Sequence, residues 1–539
     1  MKIVVAEKIS LSAMDLLREA RWTVVTPDQV EGKLVSQLDS ADALIVRSAV
    51  QVDADLLKHA HKLRVIGRAG VGVDNIDLDA ATHKGIAVMN TPGANAVAVA
   101  EHTFGLMLAM ARHIGRANEL MHRGVWEKKA LRGTELRGKK LGIIGLGRIG
   151  MEVARRARAF GMGIIAHDPF VSATIAKEQG IRMSKIDEVY ATADYITLHV
   201  GLTPQTMGMI NAEALKKMKR GVRLVNCARG ELVNEAELAE AVRSGHVAGA
   251  ALDVFAEEPP RNSPLLSLEN VILTPHIGGA TEEAQEAVGY QIALQVKEYL
   301  KHGVIQNAVN VPSVSHDEYV EMEPYIVLAE RLGAFLAQAS DGSLEEISIR
   351  YSGHIAEWKT DLVRNGAIKG ILNQALEEKA NLVNAAAIAD SRGLRVHEAR
   401  KLKSSTGGAG SVLSLLLRTS TEEHLVKGAV LHGHAPRLLA MDEIDIEAPL
   451  ERSLIYLRNR DVPGVIGRVG TILGKHKINI ANFSLGRRGA DGDNPAPDKP
   501  DEAREAIAVV HVDGSVTDAV LAELRKIPAV EHAKSIRLF

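Results

Sequence analysis

The chain has 539 residues, enough for three or four domains at roughly 150 residues each. Hydrophobic residues make up 46% and charged residues 24%, which allows several ordinary cores, and with only 3% aromatics those cores must be aliphatic. With 65 basic and 67 acidic residues the formal charge is −2, which excludes a global nucleic-acid footprint, and the single cysteine, Cys227, excludes an internal disulfide or a cysteine metal cluster and suits a reducing cytoplasm.

The chain starts at once in a strand, without the apolar core of a secretory leader. Ile3-Val4-Val5, Thr23-Val24-Val25, Ala43-Leu44-Ile45-Val46, Arg64-Val65-Ile66 and Ala87-Val88-Met89 form a first series of predicted strands. The most apolar stretch, 96–111, holds Glu101 and His102 and is too short and too polar to span a bilayer, so no membrane partner is expected. A second series follows: Leu141-Gly142-Ile143-Ile144, Gly163-Ile164-Ile165-Ala166, Tyr195-Ile196-Thr197-Leu198, Arg223-Leu224-Val225-Asn226, Gly249-Ala250-Ala251-Leu252 and Val271-Ile272-Leu273. Uninterrupted runs of this kind suit strands buried on both faces of a parallel sheet, and the spacing leaves room for a crossover helix each time. The expected class is α/β, with two open parallel-sheet domains. Segment 283–302 reads as one long amphipathic helix that returns the chain to the first sheet. The first domain is therefore expected to be discontinuous, 1–94 with 283–311, around a second at 95–282.

Asn310-Val311-Pro312-Ser313 reads as a linker into an α+β intervening region, 312–449. Its run Gly407-Gly408-Ala409-Gly410-Ser411 is read as a loop, since a lone glycine run is weak evidence for an anion cradle. The last unit, 450–539, reads strand, helix, strand, strand, helix, strand, the ferredoxin-like order. Within it 489–504, rich in Gly, Pro and Asp, reads as a hairpin loop.

Gly145-Leu146-Gly147-Arg148-Ile149-Gly150 follows a predicted buried strand and opens a helix with Ile149, Val153, Ala157 and Phe160 on one face. In that context Gly145 allows a tight turn, Gly147 lets a pyrophosphate approach, and Gly150 lets helix and strand pack closely. The helix N-terminus offers free N–H groups to the phosphates. Asp168, at the end of the next strand, sits where a carboxylate accepts from an adenosine 2′-hydroxyl and repels a 2′-phosphate. The expected cofactor is therefore NAD rather than NADP.

Arg229, Glu258 and His276 follow later strands, at the end of the sheet where α/β folds place ligands. Oxidising an alcohol removes a hydride from carbon and a proton from oxygen. A histidine can take the proton, a carboxylate can fix its tautomer, and a guanidinium can hold a substrate carboxylate. Taken singly, each residue has a plainer use as a core, capping or surface group.

The stretches Arg68-Ala69-Gly70-Val71-Gly72-Val73-Asp74-Asn75, Gly145 through Gly150, Asn226-Cys227-Ala228-Arg229-Gly230, Ala251-Leu252-Asp253-Val254-Phe255 and Thr274-Pro275-His276-Ile277-Gly278-Gly279 together closely resemble the D-isomer-specific 2-hydroxyacid dehydrogenases, over about 1–310. That resemblance implies catalytic roles for Arg229, Glu258 (chosen over Glu257 by register) and His276. It also implies cofactor contacts at Arg148, Ile149, Asp168, Val200, Cys227, Ala228, Arg229, Asp253, His276 and Gly279. Gly201 stands where the family often carries proline.

Arg460-Asp461-Val462-Pro463-Gly464-Val465-Ile466-Gly467 and Ile478-Asn479-Ile480 resemble an ACT domain. A dehydrogenase core followed by an intervening domain and an ACT domain is similar to the long-form members of the family that oxidise D-3-phosphoglycerate to 3-phosphohydroxypyruvate at the head of serine synthesis. This implies substrate contacts at Arg47, Arg68 and Asn95, a serine effector held by Asp461 and Asn479 between two ACT domains, and a homotetramer with dimers formed through 95–116. The alternatives are a hydroxypyruvate or glyoxylate reductase, which the appended domains argue against, and an NADH-sensing corepressor-like binding protein.

Overall fold

A computed structural model describes residues 1–19, 21–375, 379–402, 410–488 and 504–538. The first strand series closes into a parallel sheet of β1 (Lys2–Val5), β2 (Thr23–Val25), β3 (Ala43–Val46), β4 (Val65–Arg68) and β5 (Ala87–Met89), in the order β2-β1-β3-β4-β5. Every residue of β3 and β5 is buried, which is why these runs are apolar without alternation. Helix Glu282–His302 returns to this sheet as expected, with Thr281 accepting from Ala284 N–H at its start. A Cβ at Gly67 of β4 would lie 2.8 Å from Ile292 and 2.9 Å from Val296, so the glycine sets how closely that helix approaches.

The second series closes into β6 (Lys140–Ile144), β7 (Gly163–His167), β8 (Arg182–Met183), β9 (Tyr195–Leu198), β10 (Val222–Asn226), β11 (Val247–Leu252) and β12 (Val271–Leu273). All pair in parallel in the order β12-β11-β10-β9-β6-β7-β8. The order reverses between β6 and β9, and the crevice at that switch point is where such sheets bind ligands. The two-residue edge strand β8 has no apolar run to announce it. Helix Ala96–Arg112 packs across β10, β11 and β12 and against helix Arg148–Ala159.

The expected linker is instead stitched to the first sheet. Asn310 Oδ1 accepts from Val88 N–H at 2.8 Å, its amide donates to Ile86 O and Thr82 Oγ1, and Val311 and Val314 are buried. Beyond it, helices His316–Ala339 and Asp361–Ala375 pair over a sheet of β13 (Leu344–Gly353), β14 (Arg395–Lys401), β15 (Ser411–Thr419), β16 (Glu423–Leu431), β17 (Ala435–Met441) and β18 (Ile444–Pro449). Only β13 and β14 run parallel there. Of the expected glycine loop, 407–409 lie outside the described residues. The last unit is the expected ferredoxin-like one. Its strands β19 (Ser453–Arg460), β20 (Asn479–Arg487), β21 (Glu505–Asp513) and β22 (Val530–Arg537) lie antiparallel in the order β20-β21-β19-β22. The expected hairpin loop falls outside the described residues except for Arg504. No helix among the described residues is long and apolar enough to cross a membrane.

Candidate active site

The glycine turn lies at the switch point. Gly145 has φ +93°, and a Cβ there would come within 2.4 Å of His199 O, the strand-end carbonyl of β9's continuation. A Cβ at Gly150 would sit 2.1 Å from Gly145 O, so only glycine lets helix Arg148–Ala159 start this close to the strand. Nothing lies within 4 Å of a Cβ at Gly147, which leaves the approach to the uncapped helix N-terminus open. Asp168 is half-buried. Its Oδ2 accepts from Leu146 N–H and its Oδ1 from Phe170 N–H, both at 2.8 Å. Each oxygen keeps a lone pair for a ribose hydroxyl, so the carboxylate both shapes the turn and can read the ribose. An open glycine cradle, an uncapped helix start and a carboxylate beside it fit a dinucleotide.

Of the remaining expected cofactor residues, Arg148, Ile149 and Val200 lie in or against this turn. Arg148 lays its chain against Gly93, where a Cβ would meet its Cδ at 2.5 Å. Val200 Cγ1 lies 2.8 Å from the Cβ position of Gly145, and Ile149 is half-buried. Cys227 is buried, and burial pushes its thiol up to about 12, aided by the charge of Asp253 and opposed by a hydrogen bond with Thr103. Buried Asn226 fixes the turn carrying Ala228 and Arg229: its Oδ1 accepts from Ala228 N–H and its amide donates to Arg229 O.

The structure pairs Glu258, not Glu257, with His276. Glu258 Oε2 lies 2.8 Å from His276 Nδ1, and Glu258 Oε1 accepts from Phe255 N–H at 3.1 Å. His276 holds φ +53°, with its N–H donating to Asp253 O. Asp253 is 1% exposed and accepts from Thr274 Oγ1, Ile277 N–H and Gly278 N–H. Burial alone would raise its carboxyl, but these donors and His102 outweigh burial and hold it below the usual range. The loop bearing Arg229 packs on the loop bearing Glu258, since a Cβ at Gly230 would strike Phe255. Arg229 reaches from the second sheet to the first. Its Nε and Nη2 each lie 3.0 Å from Asp74 Oδ2, and its Nη2 lies 2.0 Å from a Cβ placed at Gly72.

On the first-sheet side, Arg68 is crowded. Burial, then Arg229 and Arg47, lower the affinity of its guanidinium for its proton, with Asp74 and Glu7 opposing. Its Nε is buried without a hydrogen-bond partner, as is Oδ1 of Asn95, whose amide lies 3.1 Å from a Cβ placed at Gly279. Two orphaned buried polar atoms, one on Arg68 and one on Asn95, suit a polar ligand. Arg47 lies further out, with Nη1 donating to Lys8 O at 3.3 Å, and Glu7 pins its loop.

In the last unit, Asp461 pairs with Arg487 at 2.9 Å and lines a cavity of about 350 Å³. Asn479 does not line that cavity and donates to Asp513 Oδ2 at 2.7 Å. One chain therefore does not bring Asp461 and Asn479 to a single pocket. Among the described residues no group of three or more His, Cys, Asp or Glu could hold a metal. Sequence reasoning missed Asp74, Asn226, His102 and Thr274 as site residues. All but His102 lie inside the motifs quoted for the family, and His102 sits in the most apolar helix and reads as core.

Residues 104–278 match the family described as D-isomer specific 2-hydroxyacid dehydrogenase, NAD binding domain. Residues 321–442 match the D-3-phosphoglycerate dehydrogenase intervening domain, and 453–529 match the ACT domain. The chain is 40% identical over 538 residues to D-3-phosphoglycerate dehydrogenase from Methanocaldococcus jannaschii, covering 100% of both. It is 37% identical to that of Bacillus subtilis, covering 100% of this chain and 99% of the relative. Among solved structures, the TT0316 protein from Thermus thermophilus matches with a TM-score of 0.52 and 36% identity over 57% of this chain and 100% of its own. D-Lactate dehydrogenase from Aquifex aeolicus, solved with NAD and lactic acid, matches with a TM-score of 0.52 and 30% identity over 58% of this chain and 100% of its own.

Proposed function

The chain belongs to the D-3-phosphoglycerate dehydrogenase family, and from that premise we propose that its inter-sheet cleft oxidises D-3-phosphoglycerate to 3-phosphohydroxypyruvate, the entry step of serine synthesis, through His276, Glu258 and Arg229. The observation that carries the assignment of residues is the Glu258–His276 hydrogen bond at 2.8 Å, set beside an arginine that spans the two sheets. The cleft lies between a substrate unit, 1–94 with 283–311, and an NAD unit, 95–282.

Gly145, Gly147, Arg148, Gly150 and Asp168 would hold NAD, which when bound would supply the two-electron oxidant. Glu258 accepts from Nδ1–H of His276, which leaves Nε2 as the base for the proton of the substrate 2-hydroxyl. As that proton arrives, the carboxylate stabilises the imidazolium. Arg229 gives two parallel N–H donors to the substrate carboxylate and polarises the carbon beside it. Taking up the substrate in this way requires Arg229 to release Asp74. Arg68 and Asn95 have unsatisfied buried atoms to offer the substrate, and Arg47 at the rim suits its phosphate.

The regulatory reading places serine between two ACT domains, with Asp461 of one protomer and Asn479 of its partner. Their separation within one chain supports a shared site. A homotetramer built on nucleotide-unit dimers is supported by helix Ile114–His122, which buries none of its own residues, and by the neighbouring Trp126, 81% exposed. We place the enzyme in the cytoplasm, where its one buried thiol stays reduced. The deciding experiment is NADH formation from 3-phosphoglycerate, with hydroxypyruvate and glyoxylate reduction run beside it and serine present or absent. Turnover of glyoxylate without turnover of phosphoglycerate would overturn the substrate assignment, and calorimetry without serine binding would overturn the effector.

A further inference from the structure

We propose that His102 is a positioning residue for the reaction, holding through Asp253 and Thr274 the backbone turn that presents His276. The proposal rests on the reading of His276 as the base.

A carboxylate as deeply buried as Asp253 is tolerated only with close donors. Its Oδ1 accepts from the Thr274 hydroxyl at 2.6 Å and Ile277 N–H at 2.9 Å, and its Oδ2 accepts from Gly278 N–H at 2.8 Å. Its main-chain oxygen accepts from His276 N–H at 2.8 Å. One residue thus grips positions 274, 276, 277 and 278. Within that grip His276 holds φ +53°, which a residue with a β-carbon adopts only at a cost. The strained turn lasts as long as Asp253 stays an acceptor on both oxygens.

Helix Ala96–Arg112 supplies the further side-chain donor. His102 Nε2 lies 3.1 Å from Thr274 Oγ1 and 3.2 Å from Asp253 Oδ1. Thr274 has one hydroxyl proton and gives it to Asp253. Nε2 must therefore carry the hydrogen that the two oxygens share, whatever the state of Nδ1. The imidazole also lies along the loop, with Cδ2 3.8 Å from a Cβ placed at Gly278. The titratable groups facing Asp253 are His102 from this helix, His276 on the loop and Cys227 from the turn after β10. Of these, His102 supplies a side-chain hydrogen to the carboxylate. Its loss leaves Asp253 with fewer donors at the same burial, so the carboxyl takes up a proton at higher pH. A protonated Asp253 has one oxygen less to accept from Ile277 and Gly278, and the turn under His276 relaxes while the sheet stays folded.

The test compares full-length His102→Leu with His102→Gln, whose amide nitrogen falls near the position of Nε2. We expect His102→Leu to lower kcat about tenfold, leave KM for 3-phosphoglycerate within about twofold, and move the acid limb of the kcat profile to higher pH. His102→Gln should restore both kcat and the limb. If the leucine variant does not fold, His102→Asn, whose shorter amide cannot reach Asp253, replaces it with the same expected loss. Unchanged kcat and acid limb in the donor-less variant, or equal loss in the glutamine variant, overturns the proposal. His276→Ala measured alongside separates the two readings. If it keeps its turnover, the assignment of the base fails. If it is inactive while the His102 variants are silent, only the positioning role fails.

Discussion

Replacing Glu258 by glutamine tests the proposed acid–base pair at one atom. The substitution keeps the shape of the side chain and the link to Phe255 N–H, but removes the charge 2.8 Å from His276 Nδ1. Unit charges at about 4 Å interact by about 4 kcal/mol at an effective dielectric near 20. The His276 and Glu258 side chains are 55% and 38% exposed, so solvent screening cuts this to about 1–2 kcal/mol. At ~1.4 kcal/mol per decade, kcat should fall roughly 5- to 30-fold. The glutamine amide can also donate to Nδ1, which would leave the proton on Nε2 and deepen the loss. KM should hold, because Glu258 meets the His276 imidazole and Phe255 N–H and not Arg229, the proposed anchor of the substrate carboxylate. Steady-state NADH formation at saturating NAD reads kcat, and fluorescence titration of NADH confirms an intact cofactor site. Glu257→Gln is the matched control and should stay within about twofold. If Glu258→Gln also stays within about twofold, or if Glu257→Gln is the slower variant, the pairing is not the catalytic one.

Gly150→Ala should weaken NADH binding by tenfold or more and cost about 1–3 kcal/mol, because its Cβ would sit 2.1 Å from the Gly145 carbonyl. Fluorescence titration and thermal unfolding read the two effects. Asp168→Ser should narrow the preference for NAD over NADP by removing the carboxylate that repels a 2′-phosphate, while freeing Leu146 N–H; the ratio of kcat/KM for the two cofactors checks this. Arg47→Ala should weaken use of 3-phosphoglycerate about tenfold and spare an unphosphorylated 2-hydroxyacid, whereas equal loss for both would remove its phosphate role. His424 is held protonated to higher pH than an ordinary histidine, chiefly by its hydrogen bond to Asp442 at 2.6 Å and against its burial. A raised folded pKa stabilises fully below the unfolded value of about 6.5 and loses that contribution as pH rises through the folded value. Urea midpoints should therefore fall as pH rises above about 6.5, and His424→Gln should flatten that fall.

What could be read from the sequence follows from which interactions are local. The strand runs were legible because a parallel strand buried on both faces must be apolar along its whole length, as β3 is from Ala43 to Val46. The edge strand β8 was not, because two residues with a solvent face carry no such demand. The glycine turn was legible because its constraint is steric and confined to six residues, with Gly145 and Gly150 blocked by backbone atoms of β9's end and of the turn itself. The Glu258–His276 pair, proposed as catalytic, was legible only through motif resemblance. Periodicity cannot choose between Glu257 and Glu258, because the choice depends on how the chain turns after Val254 and brings Phe255 N–H onto the Glu258 carboxylate. Asp74 and His102 stand further from reach. Their partners Arg229 and Asp253 lie about 150 residues away, on another sheet in one case and across a helix–loop junction in the other. An exposed-looking aspartate in a loop and a histidine in an apolar helix have ordinary local uses. What separates them from those uses is the distance from the Asp74 carboxylate to one guanidinium, and from one imidazole nitrogen to two oxygens, which only the folded chain brings to about 3 Å.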